Sequence, residues 1–223
     1  MKKKKKNNLN EEPEEANEEE TSPAIHFSLP AQAAEKDLRT VAVFGEINEE
    51  KCADITSGIY YLWQNAPELY TEEELLEYDQ PEQPSRDIRM IISTYGGEVL
   101  EMFGIIDMMH MSKTGGVDIE TTGLGKVMSA GVAILAAGTV GKRRVTRNCR
   151  LMLHQASAGT MGSVHNIENE LEELKVLQDM YIYCVAENSK LSVRKIKKLF
   201  QSNANHYISA EQAVEYGIAD EIV

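Results

Sequence analysis

The sequence has no long hydrophobic run, few cysteines and little positive charge, and each shortage excludes a class of protein. No segment approaches the roughly 18 apolar residues of a membrane-spanning helix, so we expect no membrane partner. The formal net charge of -13 argues against nucleic acid, because a phosphate backbone would repel most of the surface. The three cysteines have no C-x-x-C spacing. They predict reduced core thiols in a cytoplasmic protein rather than disulfides or metal ligands.

The N-terminal segment has no apolar stretch of the kind that a secretory signal requires. It reads MKKKKKNNLNEEPEEANEEETSP, with five lysines followed by seven glutamates. Blocks of like charge with low hydrophobicity do not offset the entropy of ordering a chain, so we expect disorder over residues 1–24. This segment is either a solubilising tail or has a function as a processed leader or a docking arm.

The remaining residues, 25–223, contain enough apolar sequence for one sizeable core. Short β-rich runs alternate with helical patterns, which predicts an α/β fold with a largely parallel sheet. The predicted strands cover 39–47, 88–94, 116–124 and two short paired strands within 142–155. Residues 66–87 hold eight acids, one base and three prolines, which indicates a surface insertion.

Helical spacing is clearest over residues 49–65, 98–112, 129–137 and 165–189. The last of these is long for so small a domain. Its apolar stripe packs either on its own sheet or on a partner chain, which is the first indication of an oligomer. Shorter helices are predicted over SVRKIKKLFQ and SAEQAVEYG, the latter with Ser209 and Gln212 at capping-box distance.

Ser129 lies in the stretch GLGKVMSAGVAILAAGT, where a predicted strand turns into a helix. A serine there is either an ordinary helix N-cap or a nucleophile whose Oγ projects from a strained turn. Small neighbours would let a substrate backbone approach, and the helix N-terminus offers free N–H groups.

Two further elements could complete a nucleophilic site. The STYGGEV turn places adjacent glycines after a buried strand, where their N–H groups could hold an anion, although a tight turn needs the same residues. His154 ends the apolar strand LMLHQ, and imidazole is the usual general base near neutral pH. A structural histidine is the alternative.

Taken together and in order, these motifs resemble the ClpP family of serine peptidases. GLGKVMSAGVAILAAGT followed by CRLMLHQ is similar to the serine and histidine blocks of that family. STYGGEV is similar to its S-P-G-G turn, and YISAEQAVEYGIADEIV is similar to its C-terminal block. The resemblance runs from about Thr40 to Val223 and is interrupted by the acidic insertion.

The resemblance implies a ClpP/crotonase-like fold of repeated ββα units, with Ser129 as nucleophile and His154 as base. It implies an oxyanion hole formed by the backbone N–H groups of Gly97 and Ala130, with no metal and no cofactor. It further implies two stacked heptameric rings joined through the 165–189 helix, unfolded polypeptide as substrate and an AAA+ unfoldase as partner. SAGTMGSVHNIE would correspond to the glycine-containing strand that binds substrate, with His165 a cap or interface residue.

The chain departs from this family at the third member of the triad. The family's aspartate aligns with Asn205, with Asn203 as the fallback, and no aspartate occurs between Asp179 and Asp220. An amide can orient the imidazole but does not stabilise imidazolium by full charge. Glu211 could substitute for the missing carboxylate. Lys126 would suit a Ser-Lys dyad but fits a surface lysine better, because the histidine strand also matches.

Three functional hypotheses follow. The first is an active serine endopeptidase in a closed homo-oligomeric chamber that performs ATP-dependent proteolysis with an unfoldase. The second is a weakly active or inactive structural subunit that works with an active paralogue, which the missing aspartate favours. The third is a crotonase-like hydratase or isomerase. The presence of both the serine and the histidine at the positions of the peptidase motifs argues against it.

Overall fold

The computed structural model describes residues 38–77, 83–201 and 205–223. The predictions for the leader at 1–24 and for Asn203 lie outside these residues. Within the described part, strands and helices alternate along the chain as the sequence predicts.

Seven strands in the described residues form one sheet. They are β1 (Thr40–Ile47), β2 (Ile88–Gly97), β3 (Ile119–Met128), β4 (Arg143–Val145), β5 (Arg150–Leu153), β6 (His206–Ile208) and β7 (Glu221–Ile222). The main path runs β1-β2-β3-β4-β7, and every pairing along it is parallel. β5 leaves this path, pairing in parallel with β3 and antiparallel with β6. The predicted, largely parallel α/β fold is therefore confirmed.

The predicted pairing between the two short strands of 142–155 is wrong. β4 pairs with the first half of β3, at Thr121–Gly123, and β5 pairs with the second half, at Lys126–Met128. Because β3 is ten residues long, it offers an edge to both short strands in turn. This arrangement brings the end of β5 beside the end of β3.

Within the part of the chain that the structure describes, seven helices connect these strands. They are α1 (Glu49–Gln64), α2 (Glu72–Glu77), α3 (Val99–Thr114), α4 (Ala130–Ala136), α5 (Val164–Glu187), α6 (Val193–Phe200) and α7 (Ala210–Glu215). Side-chain caps mark where several of them begin, since the first N–H groups of a helix have no partner within it. Asn48 caps α1, Ser163 caps α5, and Ser209 with Gln212 forms the predicted capping box of α7.

The core lies between the sheet and the helices on one of its faces. Along β2 alternate residues are buried, from Ile88 through Thr94, as a half-covered strand requires. α1 packs on α3 and β1, and α4 packs on β2 and β3 with all seven of its residues buried. Burial raises the pKa of each of the three free thiols to about 11, which keeps them protonated: Cys52, Cys149 and Cys184.

The basic group at 142–150 is largely paired within the chain. Lys142 contacts Asp87 and Asp118, and Arg144 contacts Glu120 and Glu221. Buried Arg143 makes two hydrogen bonds to the Asp220 carboxylate. Acids from neighbouring elements therefore balance the charge of these three cations.

α5 is covered only along its C-terminal half. Tyr181, Ile182, Cys184 and Val185 are buried, whereas Ile167 is 40% and Leu171 is 51% exposed. The apolar stripe that the sequence indicates thus begins in solvent and ends in the core. Among the described residues, no helix is both long enough and apolar enough to span a bilayer.

Candidate active site

Ser129 occupies a strained turn between β3 and α4. Its backbone has φ 54° and ψ -125°, and among the residues that the structure describes it is the only non-glycine residue with positive φ. Such a conformation costs about 1–3 kcal/mol and persists only where the surroundings impose it. Ser129 stands at the N-cap position of α4, yet its side chain makes no capping hydrogen bond. The ordinary N-cap interpretation is therefore wrong, and the hydroxyl is free for another partner.

That partner is His154. Its Nε2 lies 2.8 Å from the Oγ of Ser129, within proton-transfer reach. The sheet creates this contact, because β5 pairs with β3 at Met128 and Met152, and the Ser129 N–H donates to the Met152 carbonyl at 2.7 Å. Two residues 25 positions apart in sequence thereby meet at the ends of adjacent strands.

Half-burial lowers the pKa of His154 below its ordinary value, because a partly desolvated imidazole disfavours its charged form. A backbone hydrogen bond at Gln155 opposes this effect without cancelling it. The ring is consequently neutral at neutral pH, and the nitrogen facing Ser129 can accept its proton.

The backbone of the YGG turn packs directly against the serine. A Cβ built on Gly96 would lie 2.6 Å from the Cβ of Ser129, and one on Gly97 would lie 2.0 Å from the Ile47 carbonyl oxygen. Both glycines also have positive φ, which residues with a side chain rarely adopt. Steric clash and backbone conformation therefore both require glycine at these two positions. Of the two sequence interpretations of these glycines, the tight strand-to-helix turn fits this packing, and the anion-holding role stays a prediction.

Two backbone N–H groups belong to residues beside Ser129. Gly97 ends β2, next to Gly96, whose backbone packs against the Ser129 side chain. Ala130 begins α4, and its N–H finds no acceptor among the described residues. These are the two groups that the family resemblance assigns to an oxyanion hole.

Asn205 immediately precedes β6, and His154 immediately follows β5. The β5–β6 pairing ends at Leu153 and His206, and one further step along the same antiparallel register would bring His154 opposite Asn205. Asn205 is exposed, and no hydrogen bond between the His154 side chain and an amide or a carboxylate occurs within 38–77, 83–201 and 205–223. The orienting role of Asn205 stays a prediction.

The other sequence candidates have different surroundings. The Lys126 ammonium lies 4.7 Å from the centroid of the Tyr95 ring, a cation–π contact. Glu211 is exposed in the first turn of α7, where a hydrogen bond with Ser209 lowers its pKa. His165 lies in the first turn of α5 beside Glu168, whereas Ser163 supplies the cap. The predicted strand over SAGTMGSVHNIE is absent: in the described chain, 154–162 is irregular and α5 starts at Val164.

A narrow pocket opens beside the serine, with a volume of about 250 Å³ that includes space open to solvent. It is lined by Val99, Ser129, Ala130, His154, Gln155, Ala156 and Tyr181. Tyr181 belongs to the apolar stripe of α5, and nothing in the sequence indicated that it lies at the site. Its hydroxyl donates to the Ser129 carbonyl at 3.0 Å, a contact that nothing in the helical spacing distinguishes from ordinary packing.

Comparison with known protein families gives one match that extends over this site. The model described as Clp protease matches residues 72–223, about two thirds of the chain. The match includes the serine turn, the histidine strand, the double glycine and α5.

Proposed function

Because the chain belongs to the Clp protease family, we propose that it is a serine endopeptidase with Ser129 as its nucleophile and His154 as its base. The observation that carries this proposal is the 2.8 Å contact between Oγ of Ser129 and Nε2 of His154. The hydroxyl is available for this contact because the Ser129 side chain makes no capping hydrogen bond to α4. A neutral imidazole in hydrogen-bond contact is what a serine hydroxyl needs to become nucleophilic.

The proposed reaction has two halves. In the first, the Ser129 oxygen attacks the scissile carbonyl carbon while its proton passes to Nε2 of His154. The tetrahedral intermediate then collapses to an acyl-enzyme, and the imidazolium gives its proton to the leaving amine. In the second half, water is deprotonated by His154, attacks the acyl carbon and releases the carboxylate product with Ser129 restored.

The N–H groups of Gly97 and Ala130 are proposed to hold the oxyanion of both intermediates. This proposal is supported by the packing of Gly96 against the Ser129 side chain and by the Ala130 N–H, which has no acceptor in the described chain. Donors of this kind act strongly because they are oriented before the charge develops, and losing one costs roughly 10²–10³ in rate.

We propose unfolded polypeptide as the substrate and a cytoplasmic chamber of two stacked heptameric rings, served by an AAA+ unfoldase. The support within the chain is the N-terminal half of α5, where Val164, Ile167 and Leu171 expose apolar surface on a helix whose other end is buried. An exposed apolar stripe of this kind is typical of an interface. Leu171→Asp is expected to dissociate the rings by native mass spectrometry, whereas Asn169→Asp, exposed on a different face of the same helix, should leave them assembled.

A fluorophosphonate probe tests the chemistry. The probe should label Ser129 in the wild type, and the label should disappear in Ser129→Ala and in His154→Ala. Lys126→Ala is the matched control, because its side chain contacts Tyr95 instead of the serine. Absence of labelling in an intact oligomer would contradict the proposal.

A structural subunit with little activity is the second candidate, and the uncharged Asn205 together with the missing carboxylate partner of His154 favours it. In that case the purified chain should assemble without labelling, and labelling should appear only on an active paralogue mixed into the same ring. Native mass and probe labelling measured on one sample separate the two candidates.

A further inference from the structure

The peptide unit that joins Ser129 to Ala130 is held from outside its own turn by one side chain. The Ser129 carbonyl accepts two hydrogen bonds, one at 2.9 Å from the Val132 N–H and one at 3.0 Å from the Tyr181 hydroxyl. The first belongs to the local turn and moves with it. The second comes from α5, 52 residues further along the chain, and connects the turn to the core.

Tyr181 is built into the core as a rigid donor. It is 5% exposed, and its ring stacks on Phe200 with a centroid distance of 6.2 Å and an interplanar angle of 9°. Burial raises the pKa of Tyr181 far above its ordinary value, which keeps the hydroxyl protonated at neutral pH. The phenol is therefore available as the donor to the Ser129 carbonyl.

This contact bears on catalysis because a peptide unit is planar and trans. The carbonyl of Ser129 and the N–H of Ala130 belong to the same plane and point in opposite directions. A donor that fixes the carbonyl oxygen consequently fixes the direction of the N–H. Ser129 also has the unfavourable φ of 54°, so without an external anchor the peptide could relax by rotating.

We propose that Tyr181 is a positioning residue, whose hydroxyl holds the Ser129–Ala130 peptide so that the Ala130 N–H points at the oxyanion. This inference rests on the proposed function of Ser129 as nucleophile. Tyr181 does not touch the reacting atoms, and it acts through the main chain of the nucleophile. Losing its hydroxyl should affect the transition state far more than substrate binding, because the oxyanion exists only after attack.

Tyr181→Phe tests the proposal because it removes the hydroxyl and keeps the ring on Phe200. The expected result is a fall of about 10- to 100-fold in kcat and in the rate of fluorophosphonate labelling, since misplacing a catalytic group by about 1 Å costs up to roughly 10² in rate. KM should stay within twofold, and the acid limb of the kcat/KM profile should not move. Tyr183→Phe, the same change at an exposed site on α5, should leave every parameter unchanged.

Two additions keep the test decisive. p-Aminophenylalanine at position 181 retains an N–H donor and should restore most of the lost kcat, which a merely structural role would not predict. Crystal structures of the wild type and Tyr181→Phe should show the Ser129–Ala130 peptide rotated in the variant. This readout needs no activity, so it decides the positioning role even if the wild type fails to label and the proposed function falls. An unrotated peptide, or a kcat within twofold of that of Tyr183→Phe, would overturn the inference.

Discussion

Replacing Asn205 with aspartate would place a carboxylate across the strand pair from His154. The β5–β6 pairing ends at Leu153 and His206, and extending its register by one residue would place these two residues opposite each other, a spacing at which Cβ atoms lie about 4.5–5.5 Å apart. On this extension we expect a side chain at 205 to reach the imidazole nitrogen that does not contact Ser129. We expect the new carboxylate to stabilise the imidazolium that forms during attack.

The size of the gain follows from the separation and the solvent exposure of the pair. Opposite unit charges about 4 Å apart attract by about 1 kcal/mol in water and by about 4 kcal/mol at an effective dielectric constant of 20. His154 is half-buried and residue 205 is exposed, so an intermediate value applies. With 1.36 kcal/mol for each factor of ten, we expect kcat/KM to rise about 10- to 100-fold. That is less than the roughly 10⁴ by which a buried triad aspartate exceeds asparagine in another serine peptidase.

The same substitution should change the pH dependence in a predictable direction. An opposite charge favours the protonated ring and raises the pKa of His154, whereas burial lowers it in the wild type. The acid limb of kcat/KM, which reports loss of the neutral base, should therefore move to higher pH by about one to two units. Hydrolysis of a fluorogenic peptide between pH 4 and 9 measures both effects at once.

Gln201→Asp is the matched control, because it adds the same charge at an exposed position outside the β5–β6 pair. It should change neither kcat/KM nor the acid limb. If Asn205→Asp behaves like this control while Ser129 still labels, residue 205 does not face the imidazole and the register argument fails.

Three further predictions concern the neighbouring structure. In the wild type, lowering of the pKa of His154 should keep peptide hydrolysis active below the pH at which a solvent-exposed imidazole protonates; an acid limb at or above that pH would contradict the burial argument. Gly96→Ala should reduce probe labelling at least about 100-fold, because the new Cβ would lie 2.6 Å from the Cβ of Ser129. Gly125→Ala is the control, because Gly125 also has positive φ but has open space around it; this variant should label normally and lose only about 1 kcal/mol of stability. Asp220→Asn should lower the free energy of unfolding by about 3–5 kcal/mol in a urea titration, because it removes the carboxylate that balances the charge of buried Arg143 and leaves the hydrogen bonds of Arg143 to the Ala136 and Asn188 carbonyls. Burial alone would raise the pKa of Asp220, but hydrogen bonds from Arg143 lower it, so this stabilisation should be present above about pH 4 and be lost as pH falls through the depressed pKa. A variant as stable as the wild type at pH 7 would refute this last prediction.

The helices and strands were largely predictable because their signals are local. The predicted helix over 49–65 is Glu49–Gln64, and the predicted strand over 39–47 is Thr40–Ile47. Apolar periodicity and capping residues act within a few positions, so a single chain segment carries them. The pairing of β4 and β5 with β3 was not predictable in this way, because strand neighbours are chosen by contacts between distant segments.

For the site, the sequence by itself determined which residue types stand at a strand-to-helix turn, at a double glycine and at the end of an apolar strand, and these motifs indicated Ser129, Gly97 and His154. Only the tertiary structure decided that Oγ of Ser129 lies 2.8 Å from Nε2 of His154. It also decided that the Ser129 hydroxyl does not cap α4 and that the Tyr181 hydroxyl donates to the Ser129 carbonyl. The physical reason is that a hydrogen bond depends on distances and angles set by elements 25 to 52 residues apart. Residue spacing along the chain carries no such information until the sheet and α5 bring those elements together.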